Sequence, residues 1–238
     1  MKTHTISDAI IYEDENLIAI NKPSGISTLD DRVALQPSIL DLIRNHCETA
    51  QLCHRLDKET SGILMAAKNP ETYREMAMLF EKRKIVKTYW AITEGRKYFE
   101  DFTIEIALGQ TSRGRAKIDR HKGKPASTTV NTLEIFKHFS LVACQPYSGR
   151  LHQIRIHLAS SNAPIAGDLT YGGHEPFLNN IKKNYKLAST KELRPMIARS
   201  ALHAKSLLFT LYGKEFNLDA DLHKDMEVFL QLLRKYDT

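Results

Sequence analysis

The chain has few cysteines and no long apolar run, and each shortage excludes a class of protein. Its 238 residues contain three cysteines, Cys47, Cys53 and Cys144, with no Cys-x-x-Cys pair. An unpaired, odd count is typical of free thiols, so we predict no disulfide framework. No stretch approaches the roughly 18 apolar residues of a membrane span, and residues 1–5 lead into no secretory apolar core. We therefore expect a globular cytoplasmic protein without membrane contact.

Motifs for nucleotides and metals are also missing. The sequence has neither a Gly-x-x-x-x-Gly-Lys loop nor a Gly-x-Gly-x-x-Gly turn, which argues against a nucleotide cofactor. Ten histidines leave a metal-dependent hydrolase open as an alternative. However, His152 and His157 are five residues apart, which puts them about 140° apart around a helix. Zinc helices favour histidines four apart. We expect no metal site and no cofactor.

Positive charge is present in excess and is concentrated in one segment. The formal net charge is +6 and the isoelectric point is about 9.1. The segment 111–128 has one acidic residue, Asp119, and six basic ones: Arg113, Arg115, Lys117, Arg120, Lys122 and Lys124. Glycines and a proline predict an irregular or hairpin-like loop there. Such a loop suits the phosphates of a nucleic acid, although a charge run alone is more typical of a solvated hairpin tip.

The pattern of apolar residues predicts an α+β fold with a mixed, mainly antiparallel β-sheet flanked by helices. A hairpin is expected over residues 10–20, where apolar runs flank Glu-Asp-Glu-Asn. Helices are predicted at 38–46, 71–82, 151–160 and 226–235, and strands at 88–93, 102–108, 128–136, 139–145 and 201–211. Without repeats or linkers, residues 1–238 are predicted to form a single domain, with a polar insertion at 174–199. Helices and strands do not alternate strictly, which argues against a doubly wound parallel sheet.

The most informative stretch is 54–62, which reads His-Arg-Leu-Asp-Lys-Glu-Thr-Ser-Gly and is followed by the apolar run 63–67. It places one carboxylate, Asp57, beside Arg55 at the entrance of a buried element, where a side chain can be held rigidly. The local composition alone favours a simpler interpretation. Asp57 would then only cap a turn or a helix.

The order of residues in this stretch resembles the catalytic signature of the RluA-type pseudouridine synthases, which isomerise uridine in ribosomal and transfer RNA. That signature is His-Arg-Leu-Asp-x-x-Thr-Ser-Gly, then an apolar run ending in Ala-Lys, here Ala67-Lys68. The resemblance implies that Asp57 is the catalytic aspartate and that Arg55 displaces the target base. It also implies the α+β pseudouridine synthase fold, an RNA partner and no cofactor.

Two further segments resemble motifs of the same family. Lys87-Thr88-Tyr89-Trp90-Ala91 is similar to its Lys-x-Tyr-x-Ala motif, whose tyrosine lies against the target uracil. By itself, Tyr89 is better explained as a strand residue packed in a sheet. Residues 149–158, Gly-Arg-Leu-His-Gln-Ile-Arg-Ile-His-Leu, are similar to the third motif.

In this third segment, Arg155 is the candidate charge partner of Asp57, because a guanidinium favours an ionised carboxylate. Without the motif, Arg155 could equally be a surface arginine of the helix. Substrate binding is expected of Arg150 and His152 and of the basic loop, for which Arg113, Arg115, Lys117 and Lys124 are the candidates.

Smaller agreements and departures complete the comparison. Lys22-Pro23-Ser24-Gly25, Gly167-Asp168 and Leu202-His203-Ala204 resemble short segments of the family. The family's Val-His after the Lys-Pro turn and its late His-Pro are absent. Only twenty-one residues precede Lys22, so we expect a catalytic domain without a separate N-terminal S4-type RNA-binding domain, acting as a monomer. An RNA-binding protein without catalytic activity is the alternative, and the residues do not choose between a covalent and a glycal route or between RNA targets.

Overall fold

A computed structural model describes residues 6–29, 36–112, 114–183, 185 and 193–238 of the chain. The chain forms two compact units, which are described separately below. The first unit comprises Met1–Thr88 and His203–Asp221, and the second comprises Tyr89–Leu202 and Leu222–Thr238. Among the described residues, no helix combines the length and the apolar character needed to cross a bilayer.

The described residues contain twelve strands and five α-helices, after a short 3-10 turn at Ile6–Ala9. The strands are β1 (Ile10–Glu13), β2 (Leu17–Lys22), β3 (Gln51–Leu52), β4 (Ser61–Ala67), β5 (Val86–Glu94), β6 (Phe102–Glu105), β7 (Leu108–Gln110), β8 (Ala116–Ile118), β9 (Ser127–Ile135), β10 (Phe139–Pro146), β11 (Leu202–Leu211) and β12 (Lys214–Asp219). The helices are α1 (Ile39–His46), α2 (Pro70–Glu81), α3 (Gln153–Ser160), α4 (Leu178–Ile181) and α5 (Lys224–Tyr236).

In the first unit, strand β4 lies between β2 and β11. It pairs antiparallel with β2 and parallel with β11, while β1, β3 and β12 pair antiparallel at the flanks. All seven residues of β4 are buried, as the uninterrupted apolar run requires of a strand covered on both faces. Met65 of β4, Met76 of α2 and Phe209 of β11 belong to the core of this unit. The segment that precedes β4, which contains Asp57, therefore enters a central strand.

Both helices of the first unit begin at residues with strong capping chemistry. Ser38 and Asp41 form a capping box, in which each side chain accepts a hydrogen bond from the other residue's backbone N–H. Asn69 accepts from the N–H of Thr72 at 2.8 Å, and Pro70 occupies the first helical position. These caps set the starts of α1 and α2, whose bounds lie within one residue of those predicted.

In the second unit, the strands follow the order β5–β10–β9–β6, with every pair antiparallel. Strands β7 and β8 form a separate two-stranded hairpin. The core draws on the sheet and on two helices, with Ile92, Val142, Leu158 of α3 and Phe229 of α5 among its members. The α+β class and the mixed, mainly antiparallel pairing predicted from the sequence are confirmed.

The boundaries of the predicted elements were mostly correct, with one wrong strand. The hairpin over residues 10–20 and the four predicted helices are present, but 102–108 is two strands, β6 and β7. Strand β6 pairs with β9 and β7 pairs with β8. The apolar alternation Ile104, Ile106, Leu108 continues across the break, so the pattern could not reveal the change of partner. Strands β3, β8 and β12 were not predicted.

The predicted polar insertion lies partly outside the described residues, which omit 184 and 186–192. Its described part contains the short helix α4 and contributes Ile181 and Ile197 to the core of the second unit. Near its end, Arg199 forms a bidentate pair with Asp225 of α5, at 2.7 and 2.9 Å. The described part of this segment is therefore integrated into the unit's packing.

Candidate active site

The segment around Asp57 in the first unit is fixed through the backbone of its neighbours. Leu56 is buried, and the hydroxyl of Thr28 both donates to the Leu56 carbonyl at 2.6 Å and accepts from its N–H at 3.2 Å. The Thr60 N–H donates to the Asp57 carbonyl at 3.0 Å, which closes a turn. Arg55 is exposed and Asp57 is half-buried. The carboxylate thus sits on an ordered backbone while it keeps access to solvent.

A buried lysine lies beneath this turn. Lys22 at the end of β2 is 0% exposed, and its ammonium donates to the carbonyls of Pro23 at 2.9 Å, Lys58 at 3.2 Å and Thr60 at 2.9 Å. The Gly25 N–H also donates to the Lys58 carbonyl, at 2.8 Å. Three carbonyl acceptors match the three protons of an ammonium, which is how a buried lysine is satisfied. The Lys-Pro-x-Gly turn therefore holds the 57–60 turn through hydrogen bonds to its backbone carbonyls.

At the other end of the segment, His54 anchors the chain to β4 and α2. Its Nε2 accepts from the Met65 N–H at 3.1 Å, and its ring lies 4.9 Å from the ring of Phe80, centroid to centroid. Burial, reinforced by the positive charge of Lys87, lowers the pKa of His54 to about 3. A neutral ring that accepts at Nε2 carries its proton on Nδ1. His54 is therefore a packed, neutral histidine rather than a proton donor.

The final residues of the segment enter the parallel pairing of β4 with β11. Gly62 pairs with Ala204 at a positive φ of 107°, and a Cβ at Gly62 would lie 2.2 Å from the Ala204 carbonyl oxygen. Only glycine fits there. The neighbouring Ser61 hydroxyl lies 2.9 Å from Nδ1 of His203, whose Nε2 lies 3.3 Å from the Ala220 carbonyl. Because a carbonyl only accepts, Nε2 carries the proton and Nδ1 accepts from Ser61.

Tyr89, the candidate stacking residue, lies in β5 of the second unit. Its backbone pairs with Cys144 of β10, and its partly buried side chain packs against the core of the unit. It therefore combines the packing expected of a strand residue with partial exposure of the ring. Its proposed contact with a uracil stays a prediction.

Arg155 on α3 is held by a carboxylate that the sequence had not assigned to it. Its Nε and Nη2 donate to Asp168 at 2.5 and 2.7 Å, and both residues are buried. This bidentate geometry fixes the guanidinium plane. The guanidinium carbon also lies 5.0 Å from the centroid of Tyr171. The alternative of a surface arginine is therefore wrong, while the pairing of Arg155 with Asp57 stays a prediction.

Tyr171 contacts both His152 and Arg155. The hydroxyl of Tyr171 lies 2.8 Å from Nδ1 of His152 and 3.3 Å from the carbonyl of Ala116. His152 has a left-handed φ of 52° and precedes the first residue of α3. The helix thus begins two residues later than predicted, and Tyr171 links its N-terminus to the β7–β8 hairpin.

Beneath α3, Gln153 and His157 form a satisfied polar network with Thr128. Gln153 Nε2 donates to the Thr128 hydroxyl at 3.0 Å, and that hydroxyl lies 2.9 Å from Nδ1 of His157. Nε2 of His157 lies 3.1 Å from the Ile106 carbonyl. Burial lowers the pKa of His157, which favours the neutral ring. Both ring nitrogens thus have protein partners, and the described residues contain no cluster of three potential metal ligands.

The basic segment forms the predicted hairpin. Strands β7 and β8 pair over Leu108 to Ile118, and Arg115, Lys117, Lys122 and Lys124 are exposed. Lys117 lies 3.6 Å from Asp119, so one cation is partly offset. Arg113 lies outside the described residues. The hairpin and the residues that follow it therefore present exposed cations to solvent.

Three structural roles were missed at the level of the sequence. Thr28 and Lys22 fix the Asp57 turn, and Asp168 fixes Arg155. The short agreements at Lys-Pro-x-Gly and Gly-Asp were the available signal for two of them. Thr28 gave no signal, because its contact with Leu56 joins positions 28 residues apart.

The geometry can be compared with known proteins. A family model described as RNA pseudouridylate synthase matches residues 16–160. The chain is 33% identical over 236 residues to ribosomal large subunit pseudouridine synthase D of Neisseria meningitidis, covering 94% of this chain and 61% of that protein. It is 34% identical over 225 residues to ribosomal large subunit pseudouridine synthase C of Rickettsia prowazekii, covering 91% of this chain and 69% of that protein. The chain thus spans less than two thirds of the length of the Neisseria relative.

A solved structure agrees with these relatives. The human RNA pseudouridylate synthase domain containing 4 superimposes with a TM-score of 0.74 at 27% identity, covering 96% of this chain and 94% of that chain. The family model covers more than half of the chain and includes the Asp57 turn, Tyr89 and Arg155. The chain, with its ordered Asp57 turn, its strand residue Tyr89 and its fixed Arg155, therefore belongs to the RNA pseudouridylate synthase family.

Proposed function

We propose that the protein is an RNA pseudouridine synthase that isomerises specific uridines in ribosomal RNA, transfer RNA or both. The observation that carries this proposal is the Asp57 turn, where Lys22 and Thr28 fix the backbone around a half-buried carboxylate. Such a rigid support is what a reacting side chain needs. In this proposal the two units act as a single catalytic domain.

The reaction is an isomerisation that leaves the composition of the nucleoside unchanged. Asp57 acts on the nucleoside, either by adding to it through a covalent bond that breaks again before the product leaves, or by removing a ribose proton that it later returns. The bond between the ribose C1′ and N1 breaks, the uracil turns, and C5 forms the new bond to C1′. C5 loses its proton and N1 gains one. No oxidation, phosphoryl transfer or hydrolysis occurs, so the reaction requires no cofactor and no metal.

The other candidate residues have supporting roles. Arg55, which is exposed and precedes Asp57 by two residues in the chain, takes the place of the extruded base. Extruding the base costs a few kcal/mol of lost stacking. Tyr89 provides an aromatic face for the uracil. Arg155 favours the ionised form of Asp57 through its charge.

RNA binding draws on the cationic side chains of the second unit. Arg113, Arg115, Lys117 and Lys124 attract phosphates without regard to sequence, and Arg150 and His152 add contacts near α3. Action on ribosomal or transfer RNA would place the protein in the cytoplasm. It is expected to act as a monomer, which light scattering after size-exclusion chromatography would test.

The decisive experiment compares the protein with Asp57→Asn on RNA from cells that lack the protein. The wild-type protein, without additives, should form pseudouridine at defined sites, as mass spectrometry of the digested RNA would detect. Asp57→Asn should bind RNA with unchanged affinity and form no product. Glu59→Gln, which neutralises an exposed carboxylate of the same turn, should remain active. Product from Asp57→Asn would refute the role of Asp57, and RNA binding without product from the wild-type protein would favour the alternative of a silent RNA-binding protein.

A further inference from the structure

The loop that joins β10 to α3 is locked onto strand β9. The Tyr147 N–H donates to the Ser127 carbonyl at 2.9 Å, and Gln153 Nε2 donates to the same carbonyl at 2.9 Å. Gln153 Oε1 accepts from the buried Ser148 hydroxyl at 2.7 Å and from the Arg150 N–H at 3.1 Å. These bonds fix the backbone on both sides of Tyr147, so the fold determines where its side chain leaves the backbone.

This rigid loop presents an aromatic residue to solvent. Tyr147 is 59% exposed, whereas its neighbours Pro146 and Ser148 are buried. An exposed aromatic side chain alone is ordinary on a protein surface. The charges around it make this one informative.

Two cationic residues, Arg150 and Lys124, lie near this loop. Arg150 is three residues further along the chain, and its Nε donates to the Pro125 carbonyl at 3.4 Å. Lys124, the residue before Pro125, is exposed. An aromatic face combined with cations on a fixed backbone is the arrangement that binds unpaired nucleotides, since the ring stacks on a base and the cations contact phosphates.

We infer that Tyr147 is a base-stacking residue, which binds an unpaired nucleotide of the RNA, while Arg150 contacts the neighbouring phosphate. The inference rests on the proposed RNA substrate and extends it to single-stranded RNA at the β10–α3 loop. The stacking contact requires the ring and does not require the hydroxyl. Tyr147→Phe should therefore preserve the binding of RNA, and Tyr147→Ala should weaken it.

A second exposed tyrosine of the same unit provides the control. Tyr98 is 73% exposed, and its hydroxyl donates to Glu100 at 3.0 Å. That carboxylate raises the pKa of Tyr98 through the hydrogen bond and through its charge. A negative neighbour disfavours RNA, so removal of Tyr98 should not affect binding although a similar ring is lost.

The test measures the binding of labelled RNA by fluorescence anisotropy, with a single-stranded oligoribonucleotide of about twelve nucleotides, a length within the range bound by stacking surfaces, and a duplex of equal length. Tyr147→Ala should weaken single-strand binding by roughly tenfold to a hundredfold and leave duplex binding unchanged. Tyr147→Phe and Tyr98→Ala should match the wild type. Arg150→Ala should make the dependence of the binding constant on salt concentration shallower, by the amount that corresponds to the loss of about one phosphate contact.

Each outcome bears on the inference. Equal losses for single-stranded and duplex RNA, a loss in Tyr147→Phe as large as in Tyr147→Ala, or failure of the wild type to bind single strands would overturn it. Thermal melting checks that the variants are folded. Because binding is measured without turnover, a protein that binds as expected but forms no pseudouridine would refute the proposed function and not the stacking role.

Discussion

In the first unit, Lys22 and Thr28 fix the backbone around Asp57 through hydrogen bonds to the carbonyls of Leu56, Lys58 and Thr60. In the second unit, Asp168 holds the guanidinium of Arg155 itself, which also lies against Tyr171. The bonds made by Lys22 and Thr28 order a backbone, whereas the bonds made by Asp168 order a side chain. A fixed backbone limits where the side chain that it carries can lie, whereas a bidentate ion pair also fixes the plane of a guanidinium.

The largest effect is expected where the side chain itself is held. Asp168→Asn removes the buried counter-charge of Arg155 and should lower the free energy of unfolding by about 3–5 kcal/mol, measured by urea denaturation. Pseudouridine formation should fall as well. Asp225→Asn is the matched control, because it breaks the bidentate pair with Arg199 in the same unit. It should lose stability but retain activity, and full activity of Asp168→Asn would remove the importance given to this pair.

The next effect concerns the support beneath the Asp57 turn. Lys22→Met keeps the length of the side chain and removes the three bonds to the carbonyls of Pro23, Lys58 and Thr60. The free energy of unfolding should fall by about 2–3 kcal/mol, and activity should fall while RNA affinity stays. Lys68→Met removes a half-buried lysine of the same unit that pairs with Glu13 and should have a smaller effect. Equal effects of the two variants would show that Lys22 has no special role.

A third expectation concerns the pH dependence of stability. The folded-state pKa of His54, about 3, lies below the ordinary histidine value of 6.5, so the unfolded chain binds more protons between these two pH values. His54 therefore contributes its full stabilisation of the folded state above about pH 6.5. As the pH falls towards 3 this contribution is lost, and the free energy of unfolding decreases by up to about 1.4 kcal/mol per pH unit. His54→Gln should show a shallower slope in urea denaturation between pH 7 and 4 (a range of about three units). His121→Gln, an exposed histidine, should keep the wild-type slope, and an unchanged slope in His54→Gln would contradict the assignment.

The smallest effect is expected at Thr28. Thr28→Val preserves shape and removes the hydroxyl that bonds both backbone groups of Leu56. A loss of about 1 kcal/mol in the free energy of unfolding is expected, together with a lower turnover number at an unchanged KM. Thr28→Ser should restore both values. Failure of serine to restore them would show that the methyl group, rather than the hydroxyl, matters.

The sequence predicted the parts that depend on local chemistry. Helices α1 and α2 were predicted from the pattern of their apolar residues, which is local, and the structure shows that they begin after the caps Ser38 and Asn69. Strand β4 was indicated by its apolar run. The single strand predicted at 102–108 was wrong, because alternation reports which face is buried and not which strand is the partner.

The sequence by itself determined the family motifs, the α+β class and the basic hairpin, since each depends on residues close together in the chain. Only the tertiary structure decided which residues hold the functional ones. The pair Arg155–Asp168 spans 13 residues, Lys22 reaches Thr60 across 38, and Ser61 meets His203 across 142. A sequence pattern records the residue types that chemistry requires, whereas hydrogen bonds between distant positions exist only after the strands have paired and the core has formed.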